Sequence, residues 1–256
     1  MRIKSILVAL LLALTACSGQ DDPVKGGPTP PPTTPTETTT PSTTPSDSPL
    51  QDGPVTPGRY RFVPTTTCDA NTGCLSDKEL ALPAIDLTVP EGWDAITEFA
   101  ALGPTAGRDT TSRNDPALFL GWTNVWVGLN SQPCSRVSHQ TTDIPVGPTV
   151  GDFIDAVVAH PRLNVTEPKP VKLGKYRGQF FTLIGPKNIS SDCEEWRPWD
   201  PGPYLQGEEN RWDLWVMNIN GVRLVIMAEY FPETPKDIKA ELRAMAESIR
   251  FTPGKA

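Results

Sequence analysis

Apolar positions recur at helical spacing in two stretches of this chain and alternate at strand spacing in several others. Residues 149–160, TVGDFIDAVVAH, set Val150, Phe153, Ile154, Val157 and Val158 on one helical face. Thr149 and Asp152 stand at capping-box spacing, and Pro161 closes the segment. A second stripe, Ile238, Leu242, Met245 and Ile249, runs through residues 234–249, with Lys236, Lys239 and Arg243 facing water. Thr234 is the expected N-cap there, Pro235 the first helical residue, and Asp237 completes a box-like spacing. Residues 211–230 read as two strands around Asn220-Gly221, the dipeptide that supplies the two positive-φ positions of a type I′ hairpin. In the first arm Trp212, Leu214, Val216 and Asn218 alternate with Asp213, Trp215, Met217 and Ile219, so a strand covered on both faces is expected. Weaker strands are expected at residues 60–63, 85–89, 118–129, 171–173, 176–184 and 250–252. Neighbouring antiparallel strands with helices set apart from them predict an α+β fold: a twisted antiparallel sheet packed with two main helices.

The first 56 residues break this pattern. Arg2 and Lys4 precede an apolar run, residues 6–14, far short of the ~20 residues a membrane span requires. Leu14-Thr15-Ala16-Cys17 then resembles the bacterial lipobox. That resemblance implies that residues 1–16 are a lipoprotein signal peptide, that Cys17 is lipidated, and that the cell membrane holds the protein on its extracytoplasmic face. Each buried acyl methylene would contribute ~0.8 kcal/mol to that anchoring. An ordinary signal peptide that happens to contain a cysteine is the competing reading. Residues 17–56 follow as a tether: positions 18–56 hold ten Pro and ten Thr and very few large apolar side chains. So little apolar surface does not offset the entropy of ordering, and an extended Pro-rich chain at ~3.1 Å per residue would reach roughly 120 Å. The Thr-rich run at 36–44 is also a candidate acceptor of O-linked sugar. Residues 57–256 remain as a single globular domain.

Charge and cysteine content narrow the function. Lys and Arg number 23 against 30 Asp and Glu, a net charge of −7, which excludes a general nucleic-acid binder. With Cys17 lipidated, Cys68, Cys74, Cys134 and Cys193 form an even set that implies two disulfides in an oxidising compartment, with three possible pairings. Turn-forming residues between Cys68 and Cys74 make local closure easy, which leaves Cys134 for Cys193. Zinc is the rival, disfavoured because no Cys-x-x-Cys pair exists. No nucleotide loop, no G-x-S-x-G elbow and no His-Glu-x-x-His occurs, so no nucleotide, cofactor or metal is expected and no residue is assigned as catalytic. His160 reads as a cation at a helix C-terminus, and His139 lies in a polar loop.

The stretch from 192 to 215, DCEEWRPWDPGPYLQGEENRWDLW, concentrates chemistry. Trp196, Trp199 and Tyr204 beside Glu194 and Glu195 offer stacking faces next to carboxylates, as a sugar or a cationic ligand requires. Trp212 and Trp215 read instead as core strand residues. The carboxylates of residues 192–213 would hydrolyse a glycosidic bond if two of them faced each other across a groove. In the C-terminal third, the hairpin ending Ala228-Glu229-Tyr230-Phe231-Pro232-Glu233-Thr234-Pro235, the helix after it and Glu247-Ser248-Ile249-Arg250-Phe251 resemble the Mog1/PsbP-like fold. Actinobacterial-type lipoproteins of that kind also carry a helix like 149–160 and a strand with Tyr176-Arg177-Gly178. The resemblance implies an α/β/α sandwich acting as a non-enzymatic binding or scaffolding module in the cell envelope, with cell-wall glycan or an envelope protein as partner. The alternative is a carboxylate-dependent hydrolase acting on cell-wall glycan.

Overall fold

Asn220 and Gly221 adopt φ of 54° and 91°, as the hairpin turn requires, and the two strands they join are the middle of the protein. The structure, a computed structural model, describes residues 51–62, 65–66, 83–96, 101–105, 116–123, 128–135, 142–200 and 202–252. Cys17, Cys68, Cys74 and His139 lie outside the described residues. In chain order the strands before the first helix are β1 (Gly53–Val55), β2 (Gly58–Phe62), β3 (Thr65–Thr66), β4 (Ala84–Val89), β5 (Trp93–Ile96), β6 (Ala101–Pro104), β7 (Ala117–Thr123), β8 (Gly128–Leu129), β9 (Cys134–Ser135) and β10 (Ile144–Pro145). Helix α1 (Val150–Ala159) leads to β11 (Asn164–Val165), β12 (Lys169–Leu173), β13 (Tyr176–Ile184), β14 (Glu195–Trp196), β15 (Trp199–Asp200), β16 (Arg211–Ile219) and β17 (Val222–Tyr230). Helix α2 (Lys236–Ser248) and β18 (Arg250–Thr252) follow.

The main sheet runs β1-β5-β6-β7-β17-β16-β13-β11, with β12 also on β13 and β3 parallel to β7; its other pairings are antiparallel. Smaller sheets are β18-β4-β2, β10-β8-β15 and β14-β9. This is a mixed α+β fold. The two-faced alternation of β16 is realised in full. Trp215, Met217 and Ile219 join Leu224, Ile226 and Ala228 of β17 and Leu242, Met245, Ala246 and Ile249 at α2 in one core. Trp212, Leu214 and Val216 join Phe181, Leu183, Val225, Met227 and Phe153, Ile154 and Val157 of α1 in the other. Each helix thus covers one face of the same strands.

Local chemistry sets the helix ends. Thr149 Oγ1 accepts from Asp152 N at 3.1 Å while Asp152 Oδ2 accepts from Thr149 N at 2.9 Å, so both halves of the capping box form. These bonds hold the Asp152 carboxyl below the usual carboxylate range. Buried Arg223 donates to the carbonyls of Gly147 and Thr149 at 2.6 and 2.9 Å and lies over Phe153, fixing α1 to the sheet. Burial lowers the Arg223 guanidinium to about 10.

Four expectations are corrected. Val158 is 51% exposed, because it falls off the edge of a stripe that Phe153, Ile154 and Val157 bury. Thr234 does not cap α2: its Oγ1 accepts from Phe231 N at 3.0 Å, within the turn before the helix, and Pro235 takes the N-cap place without a side-chain bond. The expected strand 118–129 is two, β7 in the main sheet and β8 in a small one. Folded structure also begins inside the segment read as tether, since β1 pairs with β5 from Gly53↔Ala95 to Val55↔Trp93.

Candidate functional site

The loop singled out in the sequence is folded down onto residues 128–135. β14 pairs with β9, setting Trp196 against Cys134, and β15 pairs with β8, setting Trp199 against Leu129. A disulfide joins Cys134 to Cys193 across 59 residues, with Cα atoms 5.2 Å apart. Buried Asn130 ties the layers together: its N–H donates to Pro198 O at 3.0 Å and its Nδ2 to Arg197 O at 2.9 Å. His160 closes the same hub. Its Nδ1 accepts from Arg162 N at 3.2 Å, so the ring proton sits on Nε2, which donates to Asn130 O at 3.1 Å. His160, at the C-terminal end of α1 as expected, serves there as a buried hydrogen-bonding linker.

The expectation of exposed stacking faces at Trp196 and Trp199 is corrected. Trp199 is fully buried, edge-on to Phe153 at 5.3 Å and to Trp212 at 5.5 Å, and Trp196 is 8% exposed. Gly202 lies so close over Trp199 that a Cβ there would meet the indole at 2.5 Å. A Pro-rich loop bearing two Trp folds inward here because it caps the open end of the α1-side core. As expected, Trp212 and Trp215 are core strand residues.

Arg197 organises the rest, and sequence reasoning passed it over. Its buried guanidinium donates to Glu195 Oε2 at 2.9 Å, to Asp200 Oδ1 at 3.2 Å and to the carbonyl of Gly202, and lies 5.5 Å from the Tyr204 ring. Only two cations, Arg197 and Arg211, stand among the seven acids of residues 192–213, and that was the available signal, since acids packed together call for a shared counter-charge. Glu195 and Tyr204 are half-buried at this rim and Glu194 is exposed. Glu208 accepts from Ile189 N at 3.0 Å, a structural role. Of the expected ligand-binding residues the structure thus brings Glu195 and Tyr204 together on one guanidinium, leaves Glu194 outside that contact and buries both Trp.

A second polar group sits on the α2-side face of the sheet. Asp213 Oδ1 accepts from Thr182 Oγ1 at 2.6 Å and from the Tyr230 hydroxyl at 3.2 Å. Burial pushes the Asp213 carboxyl up against the pull of these bonds, and burial with the nearby Asp213 charge pushes Tyr230 to about 12. Lys239 lies 5.8 Å from the Tyr230 ring and Arg243 lies 5.2 Å from Phe180. The sequence signal was an Asp in an otherwise apolar alternation.

The chain is thus a mixed α+β domain, a sheet with one helix on each face and a disulfide-braced acidic rim at one end. No family model matches the chain, and no curated protein matches it. Among the described residues, no cluster of His, Cys, Asp and Glu has the grouping of a metal site, and no helix is long and apolar enough to cross a membrane.

Proposed function

We propose that the chain is an extracytoplasmic lipoprotein, anchored through Cys17, whose Mog1/PsbP-like domain is a non-enzymatic binding or scaffolding module of the cell envelope. One observation favours binding over hydrolysis: Glu195 and Asp200 both accept from the single buried guanidinium of Arg197. A glycosidase needs one carboxyl to deliver a proton and another to act as base or nucleophile. Two carboxylates bound to a common cation instead form a rigid, net-acidic rim with Tyr204 beside them. That rim suits recognition of a hydroxyl-rich glycan or a polar protein surface, with loop entropy already lost before binding. The test titrates cell-wall glycan fragments and envelope proteins into the full chain, following Trp fluorescence, with Tyr204→Ala and Glu194→Lys as variants. Saturable binding weakened about tenfold by Tyr204→Ala supports the reading. Glycan cleavage abolished by Glu195→Gln or Asp200→Asn overturns it in favour of the hydrolase.

A further inference from the structure

Cations with no carboxylate partner among the described residues gather around the β12–β13 turn at one side of the main sheet. β12, β13 and their turn carry Lys169, Lys172, Lys175 and Arg177, all exposed. The register sets Lys172 directly opposite Arg177, a like-charge pair that works against the sheet. Gly174 at this turn lies beside Arg250, whose Cδ would be 3.9 Å from a Cβ there. The Arg250 guanidinium donates to the carbonyls of Glu247 and Ile249, at 2.9 and 2.7 Å, while the Glu247 carboxylate is held by Arg243. On the small sheet, register places Arg61 and Arg250 on the two sides of Asp86. That buried carboxylate bonds Arg61 at 2.7 Å, with Arg59 3.8 Å away, so one acid stands among three arginines.

Acids gather at the opposite end. β13 runs nine residues from the Lys175 turn, about 30 Å at ~3.3 Å per residue, toward the segment 185–210. That segment holds Asp192, Glu194, Glu195, Asp200, Glu208 and Glu209. With Lys187 and Arg197 counted against these six acids the segment is net −4, while the β12–β13 turn is basic. The chain enters the fold through β1 and β2, and β2 itself carries Arg59 and Arg61.

We infer that this basic end, centred on Lys172, Lys175, Arg177 and Arg250, docks on anionic phospholipid headgroups of the membrane that holds the anchor. The inference rests on the anchored reading above. A lipid chain and a basic patch act together as two membrane signals, and each Lys or Arg brought to an anionic surface adds to binding. Docking sets the strands upright and turns the Arg197–Tyr204 rim away from the bilayer, toward whatever it recognises.

The test uses the full chain carrying Cys17→Ala, so that no acyl chain contributes, and flotation with vesicles of phosphatidylcholine alone or mixed equally with phosphatidylglycerol. Binding is expected to the anionic vesicles only and to vanish between about 0.1 and 1 M salt as the screening length shrinks. Replacing Lys172, Lys175 and Arg177 by Gln should weaken it about a hundredfold, roughly fivefold per cation, without loss of folding. Equal binding to neutral vesicles, no binding, or binding indifferent to the three substitutions overturns the inference. So does capture of a soluble polyanion with no vesicle binding. Fractionation of the wild-type chain after a high-salt wash reads the anchor separately: release there refutes lipidation at Cys17 while leaving the vesicle result standing.

Discussion

Glu229 is buried in the main sheet at 3% exposure, opposite Trp212 of β16 and Ala117 of β7. Its Oε1 has no hydrogen-bond partner. Burial pushes its carboxyl from 4.5 to about 8, more than hydrogen bonds from the Trp212 and Asn210 side chains pull it down. Between those two pH values the folded chain holds a proton that the unfolded chain has released, so stability falls as pH rises and levels off above about 8. At about 1.4 kcal/mol per tenfold change, the whole interval from 4.5 to about 8 amounts to at most ~5 kcal/mol, of which ~3 is lost by pH 7. Glu229→Gln keeps the shape and removes the proton equilibrium. Urea unfolding of both proteins, followed by Trp fluorescence at about pH 5, 7 and 9, should show near-equal stability at the acid end. The variant should gain as pH rises to about 8 and hold that advantage unchanged at pH 9. A stability difference that stays constant from pH 5 to 9 refutes the reasoning, because the carboxyl would then ionise without cost in the fold.

Other perturbations separate the elements that hold the rim. Arg197→Ala strands Glu195 and Asp200 beside each other and removes the cation over Tyr204; a loss of about 3 kcal/mol is expected in thermal or urea unfolding. Cys134→Ser with Cys193→Ser opens a 59-residue loop, for which the chain-entropy account gives ~4 kcal/mol. In that variant, hydrogen exchange should rise first in residues 193–205. Gly178→Ala places a Cβ 2.2 Å from the Val216 carbonyl, near the Arg177 end of the β13–β16 pairing, and should abolish soluble folded protein.

What could be read from the sequence was whatever short-range periodicity decides. The α1 box, the Asn220-Gly221 turn and the two-faced alternation of β16 are local patterns, and each formed. The Cys134–Cys193 bridge followed from counting, given the short path between Cys68 and Cys74. The strands that escaped notice are those whose existence depends on a distant partner. β14 and β15 are two residues each and are strands only because β9 and β8 lie against them. β1 contains Pro54, poor strand material, and is tolerated because it lies at the sheet edge.

The rim shows the same limit acting on chemistry. Tryptophans in a proline-rich loop look like a contact surface, since loops are usually exposed and their aromatics costly to leave wet. Here α1 leaves the core open above Phe153, and Trp199 is the side chain that closes it, with Trp212 beneath. Once those rings turn inward, Glu195 and Asp200, which flank Trp196 and Trp199 in sequence, are carried to a common rim and need a counter-charge. Arg197 is the cation within reach, flanked in sequence by the two Trp-bearing pairs that bury it. The residues offered as ligands by composition are consequently divided by the fold into a hydrophobic plug and a polar edge. Any partner that reads this loop meets Tyr204, Glu194 and the Arg197–Glu195 pair, a surface specific for hydrogen-bonding shape, where the sequence alone suggested an aromatic platform.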